Sequence, residues 1–205
     1  MFILTTFEDL VQIPPHGLVK NKITRQDLED RINEKYSNKV VQKVGLCICM
    51  YDLVKASDGL IGHGTGNVNV NVQFRMIVFR PFKNEIVTGR ITKCTAEGIR
   101  VSVRFFDDIF VPSTMLFDGC NYDANEQTWI WHTEGENEDE EANDLFLDVG
   151  DTVNFRIESE SWHDQAPAAP KIRRPGESES VTDYKPPYSI EASMTEQGLG
   201  GVHWW

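Results

Sequence analysis

The stretch "GRITKCTAEGIRVSVRFFDDIFVPSTML", Gly89 to Leu116, sets Ile99, Val101, Val103 and Phe105 against Arg100, Ser102, Arg104 and Phe106. A period of two is that of a half-buried strand, with one face packed and the other offered to something. Around it lie further short strands. "NEIVTGRITKCTA" and "GIRVSVRFF" precede "DIFVPSTML", which ends in a proline and a short helical turn. "TWIWH" is a tryptophan-flanked strand, "LFLDVGDTVNFRIESESW" reads as a fourth core strand, and "YSIEASMTEQGLGGVHWW" closes the chain. Five strands, a glycine after the first, a "VGDTV" entry to the fourth and loops of variable length predict a Greek-key barrel of the OB type over residues 81–205. Two insertions interrupt it, an acidic run at 133–144 and a Pro/Ser-rich stretch at 164–187.

Upstream, residues 1–13 alternate until "PPHG" removes ladder donors and frees a turn, which implies a tip or corner. In "ITRQDLEDRINEKYSN" Thr24 can cap a helix, Asp27 sits at the capping-box position, and Ile23 and Leu28 stand at the staple positions. Leu28, Ile32 and Tyr36 then give this helix one narrow apolar face, suited to covering a sheet. The strands of that sheet are "KVVQKVGLCICMYDLVKA" and "NVNVNVQFRMIVFRPF", joined by "SDGLIGHGTG". No lysine follows those glycines and no helix begins there, so a hairpin turn is expected rather than a phosphate loop. The fold class is therefore α+β, a sheet with a covering helix over residues 1–80 followed by the barrel.

Of 205 residues, 40% are hydrophobic, enough for genuine cores. No window approaches a membrane span and the start "MFILTTFEDL" lacks a signal-peptide pattern, so an intracellular location is expected. Cys47, Cys49, Cys94 and Cys120 lack zinc spacing and are expected to be reduced. The net charge of -12 is unevenly spread. Residues 1–80 hold ten Lys or Arg against eight Asp or Glu, a net +2, so the rest carries -14, half of it in Thr133–Asp144.

Catalysis is poorly supported. The five histidines form no HExxH, no two-histidine helical face and no nucleophile elbow, and the carboxylates concentrate in one low-complexity run. No cofactor is implied. Binding fares better: Lys93, Arg100, Arg104, Phe106 and Phe110 combine positive charge with rings, the requirement of a platform that tracks a nucleic-acid backbone and stacks bases. Strand alternation alone does not distinguish such a face from a protein-contact face. Lys171, Arg173 and Arg174 add a basic cluster whose composition suits a solubilising loop. Trp204 and Trp205 end the chain, and two terminal tryptophans are expected to pack against the first domain or a partner subunit.

Over its whole length the chain resembles the larger stalk subunit of RNA polymerases, and most of all the RNA polymerase III branch of that family. The resemblance rests on "MFILTTFEDLVQIPP", "VGLCICMYDL", "DGLIGHGTGNVNVNVQFRMIVFRPFKNEIVTGRIT", "DDIFVPSTML" and "GLGGVHWW" taken together. It implies a truncated RNP-like first domain whose tip plugs into the polymerase core, followed by the OB barrel. It also implies a nuclear heterodimer with a small helical stalk subunit, acting in initiation and contacting initiation factors and single-stranded nascent RNA. Pro14, Pro15 and Leu18 fall where that family's tip meets the core. The acidic insert at Thr133–Asp144 departs from the family pattern. A free-standing OB-type RNA-binding factor and a purely structural bridge are the competing readings.

Overall fold

A computed structural model describes residues 1–15, 22–132, 144–165 and 185–205. The chain is mostly β-sheet with one α-helix and divides into two compact units, Met1–Pro81 and Phe82–Trp205.

The first unit runs β1 (Phe2–Ile13), α1 (Arg25–Tyr36), β2 (Lys39–Val41), β3 (Gly45–Ala56), β4 (Leu60–Ile61) and β5 (Val68–Phe79). Its sheet has the order β1-β5-β3-β2, with β4 also pairing β5. β1 and β5 are antiparallel in unbroken register from Phe2 opposite Phe79 to Ile13 opposite Val68. An unbroken register keeps every alternate residue on one face. Phe7, Val11 and Ile13 therefore share a face with Phe74, Val70 and Val68, and α1 covers it with Leu28 and Ile32. Burying those two helix side chains contributes about 1.5–3 kcal/mol each. The helix starts where its cap dictates: Thr24 Oγ1 accepts from the Asp27 amide at 3.2 Å while the Asp27 carboxylate accepts from the Thr24 amide at 2.8 Å.

The run expected as one strand from Lys39 to Ala56 is a hairpin instead, β2 turning into β3 through Gln42–Val44. Lys43 (φ 62°) and Gly45 (φ 142°) occupy the left-handed region. A Cβ on Gly45 would stand 2.6 Å from the Phe79 carbonyl oxygen, so the turn is closed by a residue without one.

The second unit runs β6 (Ile86–Thr95), β7 (Gly98–Val103), β8 (Phe106–Pro112), β9 (Cys120–Asp123), β10 (Thr128–His132), β11 (Asp144–Leu147), β12 (Thr152–Trp162), β13 (Tyr188–Ser193) and β14 (Gly200–Gly201). β6, β7 and β8 form an antiparallel meander, β8 pairs parallel with β13, β13 pairs antiparallel with β12, and β12 returns antiparallel to β6. The pairing thus closes into a ring of five strands. Its interior is filled by Ile99, Val101, Ile109, Val111, Val153, Phe155, Ile157, Tyr188 and Ile190, all nearly or fully buried.

Two strand expectations change here. "GIRVSVRFF" does not run through: β7 ends at Val103, which pairs with Phe106 across a tight turn at Arg104–Phe105. "LFLDVGDTVNFRIESESW" is also broken, because Asp148–Asp151 turns the chain. Its first part, β11, joins β10 and β9 in a separate three-stranded sheet. That small sheet is tied to β6 by the Trp129 indole, which donates to the Thr95 carbonyl at 3.1 Å. No helix among the described residues is long and apolar enough to cross a membrane.

Candidate functional site

The outer face of the five-strand ring carries the candidate binding row. Lys93 on β6 stands opposite Arg100 on β7, Arg100 opposite Phe110 on β8, Phe110 opposite Glu191 on β13, and Glu191 opposite Ser159 on β12. A bulge between Ile91 and Lys93 turns Thr92 and Lys93 outward together. Ser159 Oγ donates to Glu191 at 2.9 Å, and Ser102 Oγ donates to Asp107 at 2.5 Å. Strand pairing thus brings together Lys93, Arg100 and Phe110 as the sequence suggested, and adds Asp107, Asp108 and Glu191 beside them.

Phe106 and Arg104 leave the row. With Arg104 at φ 48° in the turn, the alternation inverts at Phe105 and Phe106 alone; the register shift between Val101 and Val103 restores it, and Ile109 and Val111 face inward again. Phe106 is 6% exposed, its ring 5.4 Å from that of Tyr188 in the interior, whereas Phe105 is 42% exposed. Arg104 stays exposed at the rim of the turn. Strand alternation alone assigns Phe105 to the packed set, and the turn places it outside instead.

Asp108 is the member of this group whose carboxyl is visibly perturbed. Burial pushes its carboxyl above the ordinary carboxylate value, Arg100 pulls it down, and Asp107 pushes it up again, with a net rise. Three of the cysteines are held as thiols: burial raises Cys47, Cys94 and Cys120 to about 11. Among the described residues no three or more His, Cys, Asp or Glu gather in an arrangement that could hold a metal ion.

The first unit carries a second candidate surface at one end of its sheet. Pro14 and Pro15 follow β1 there, and Pro15 lies beside Gly66, whose added Cβ would stand 3.2 Å from the proline ring. Leu18 lies outside the described residues. On the same end β4 pairs with the start of β5, and its Leu60 and Ile61 are 69% and 73% exposed. Their signal in the sequence was "GLIG", an apolar pair inside a glycine-rich turn.

The terminal tryptophans separate. Trp204 packs within its own unit, its ring 5.7 Å from that of Trp131 and 6.0 Å from that of Phe117, over the backbone of Gly200 and Gly201. Trp205 is 56% exposed, held by one hydrogen bond from its indole to the Leu199 carbonyl at 2.9 Å.

Comparison with known proteins agrees across both units. Residues 85–205 match the family described as RNA polymerase III subunit Rpc25, and residues 8–66 match the SHS2 domain found in the N terminus of Rpb7p and Rpc25p. The chain is 41% identical to DNA-directed RNA polymerase III subunit rpc8 of Schizosaccharomyces pombe, with all of both chains covered. It is 42% identical to RPC8 of Saccharomyces cerevisiae over the whole of both chains, and 38% identical to RPC8 of Bos taurus over 100% of this chain and 98% of that one. A family match spanning more than half of the residues, joined to end-to-end likeness with these subunits, makes the chain a member of the Rpc25 family of RNA polymerase III subunits.

Proposed function

We propose that the chain is the larger, non-catalytic stalk subunit of RNA polymerase III and acts in the nucleus in transcription initiation. The observation that carries this is likeness over the entire length, both units included, to proteins named as subunits of that enzyme. A free-standing RNA-binding factor would have no reason to share both units with them.

In this reading the first unit is an RNP-like tip, whose exposed Pro15, Leu60 and Ile61, with Pro14 and Leu18, meet the polymerase core. The five-strand ring is a barrel of the OB type. Its support is the pairing order, a meander of three strands whose third pairs parallel with the last while the fourth closes on the first. The outer row of Lys93, Arg100 and Phe110, with Arg104 and Phe105 at its rim, is where nascent single-stranded RNA or initiation factors dock. Trp205 and neighbouring exposed apolar groups face a small helical stalk partner in an obligate heterodimer.

Affinity purification of the tagged protein from its native cell, followed by mass spectrometry, tests the assignment. Recovery with a small helical subunit and the RNA polymerase III core is the expected result; recovery alone, or with ribosomal or RNA-processing proteins, overturns it.

A further inference from the structure

A depression of about 200 Å³ opens on the outer face of the ring, lined by Arg100, Asp108, Phe110, Pro186, Ser189 and Glu191. It is smaller than the ~300–1,000 Å³ of a typical small-molecule pocket and has room for one side chain. Its charge is the informative feature. Arg100 supplies one cation, while Asp108 and Glu191 supply two carboxylates, so the lining is net negative although the row beside it is basic.

The three charges are not consumed by one another. Glu191 accepts from the Ser159 hydroxyl, a neutral donor that fixes the carboxylate in place and leaves its charge standing. Among the described residues, the Asp108 side chain accepts no hydrogen bond, and half-burial strips it of part of its hydration. A carboxylate in that condition gains from a cation that brings donors with it. The ring of Phe110, half-buried between Arg100 and Glu191 in the cross-strand row, forms the apolar wall against which a flat guanidinium or an alkyl-ammonium stem would lie. A phosphate placed here would meet both carboxylates.

From this geometry we infer that the depression receives a lysine or arginine side chain from a protein segment docking on the outer face, with Asp108 and Glu191 as its acceptors and Phe110 as its wall. The inference rests on the reading that this face is a contact surface, and divides it. RNA phosphates are confined to the side bearing Lys93, Arg100 and Arg104, with Arg100 standing at the boundary, while the β8–β13 side takes protein. It assigns an occupant class to a part of the face that basic residues alone would have given to nucleic acid.

The test uses the full-length chain, amide-resolved NMR and two capped hexapeptides differing only in a central arginine or its neutral isostere citrulline. The arginine peptide is expected to move the amides of Asp108, Phe110, Ser189 and Glu191 and to bind about tenfold more tightly than the citrulline peptide. Asp108→Asn with Glu191→Gln is expected to abolish that difference. Equal binding of the two peptides, or no movement of these amides by either, overturns the inference. Displacement of the same amides by a uridine decamer also overturns it, and in that event RNA binding by the face still stands. Loss of the polymerase assignment itself would be seen only in the purification experiment, so the two failures are distinguishable.

Discussion

The hydroxyl of Tyr36, in the last turn of α1, donates to the carboxylate of Asp9 on β1 at 2.7 Å, and Lys35 donates to the same oxygen at 2.5 Å. Helix and sheet are joined at that point by a charged hydrogen-bond pair as well as by apolar packing. Burial, and then the Asp9 carboxylate, push the Tyr36 phenol up to about 12 from 10.0. Burial raises the Asp9 carboxyl, but the hydrogen bonds from Lys35 and Tyr36 outweigh it and leave the group below its ordinary 3.8.

The phenol's contribution to stability is present below pH 10 and is lost as pH rises toward about 12, since the folded value lies above the unfolded one. Asp9 contributes above its unfolded value and loses that contribution as pH falls through its lowered one. Tyr36→Phe is expected to cost about 1–2 kcal/mol at neutral pH. It should also flatten the alkaline decline of the urea midpoint. Equal midpoints for the two proteins at neutral pH would show that the bond contributes nothing.

Adjacent phenylalanines should separate cleanly. Phe106→Ala removes a ring from the interior and is expected to cost about 3–5 kcal/mol. Phe105→Ala, at an exposed position, should stay within about 0.5 kcal/mol of the parent. Thermal melts of the two variants decide it, and a reversed order would mean the turn at Arg104–Phe105 is not where strand pairing puts it.

If the outer face takes RNA as proposed, Arg100→Glu with Arg104→Glu is expected to weaken binding of single-stranded RNA by the chain purified with its proposed stalk partner, while leaving that assembly intact. Removing two phosphate contacts should reduce the slope of log affinity against log salt by about 1.4. Filter binding across a salt series measures it; unchanged affinity at low salt would take RNA off this face.

At the C-terminus, Trp204→Ala should cost about 2 kcal/mol or more by emptying the space between Phe117, Trp131 and the Gly200–Gly201 backbone. Trp205→Ala should cost under about 1 kcal/mol in the isolated chain. If the heterodimer interface uses Trp205, only that variant loses partner affinity, read by titration calorimetry.

The sequence was legible where structure is local. Thr24 and Asp27 announce the start of α1 by their spacing, and Asn67–Val72 alternates because one side of β5 is buried against the helix. It was illegible where a turn lacks turn residues. "VRFF" holds no glycine, proline or asparagine, yet Arg104 takes a left-handed conformation there, and the inversion of Phe105 and Phe106 follows. The acidic half of the outer face was hidden for another reason. Asp108 and Glu191 lie far apart in the chain and are brought to one depression by the parallel pairing of β8 with β13, a non-local contact that no periodicity encodes.

The end of β12 and the start of β13 are pinned to each other: Trp162 and Tyr188 stack with ring centroids 4.1 Å apart, and the His163 amide donates to the Pro187 carbonyl at 3.0 Å. Trp162 and Tyr188 thus act as a clasp on the ring, holding the end of one strand to the start of the next through an aromatic contact of their own.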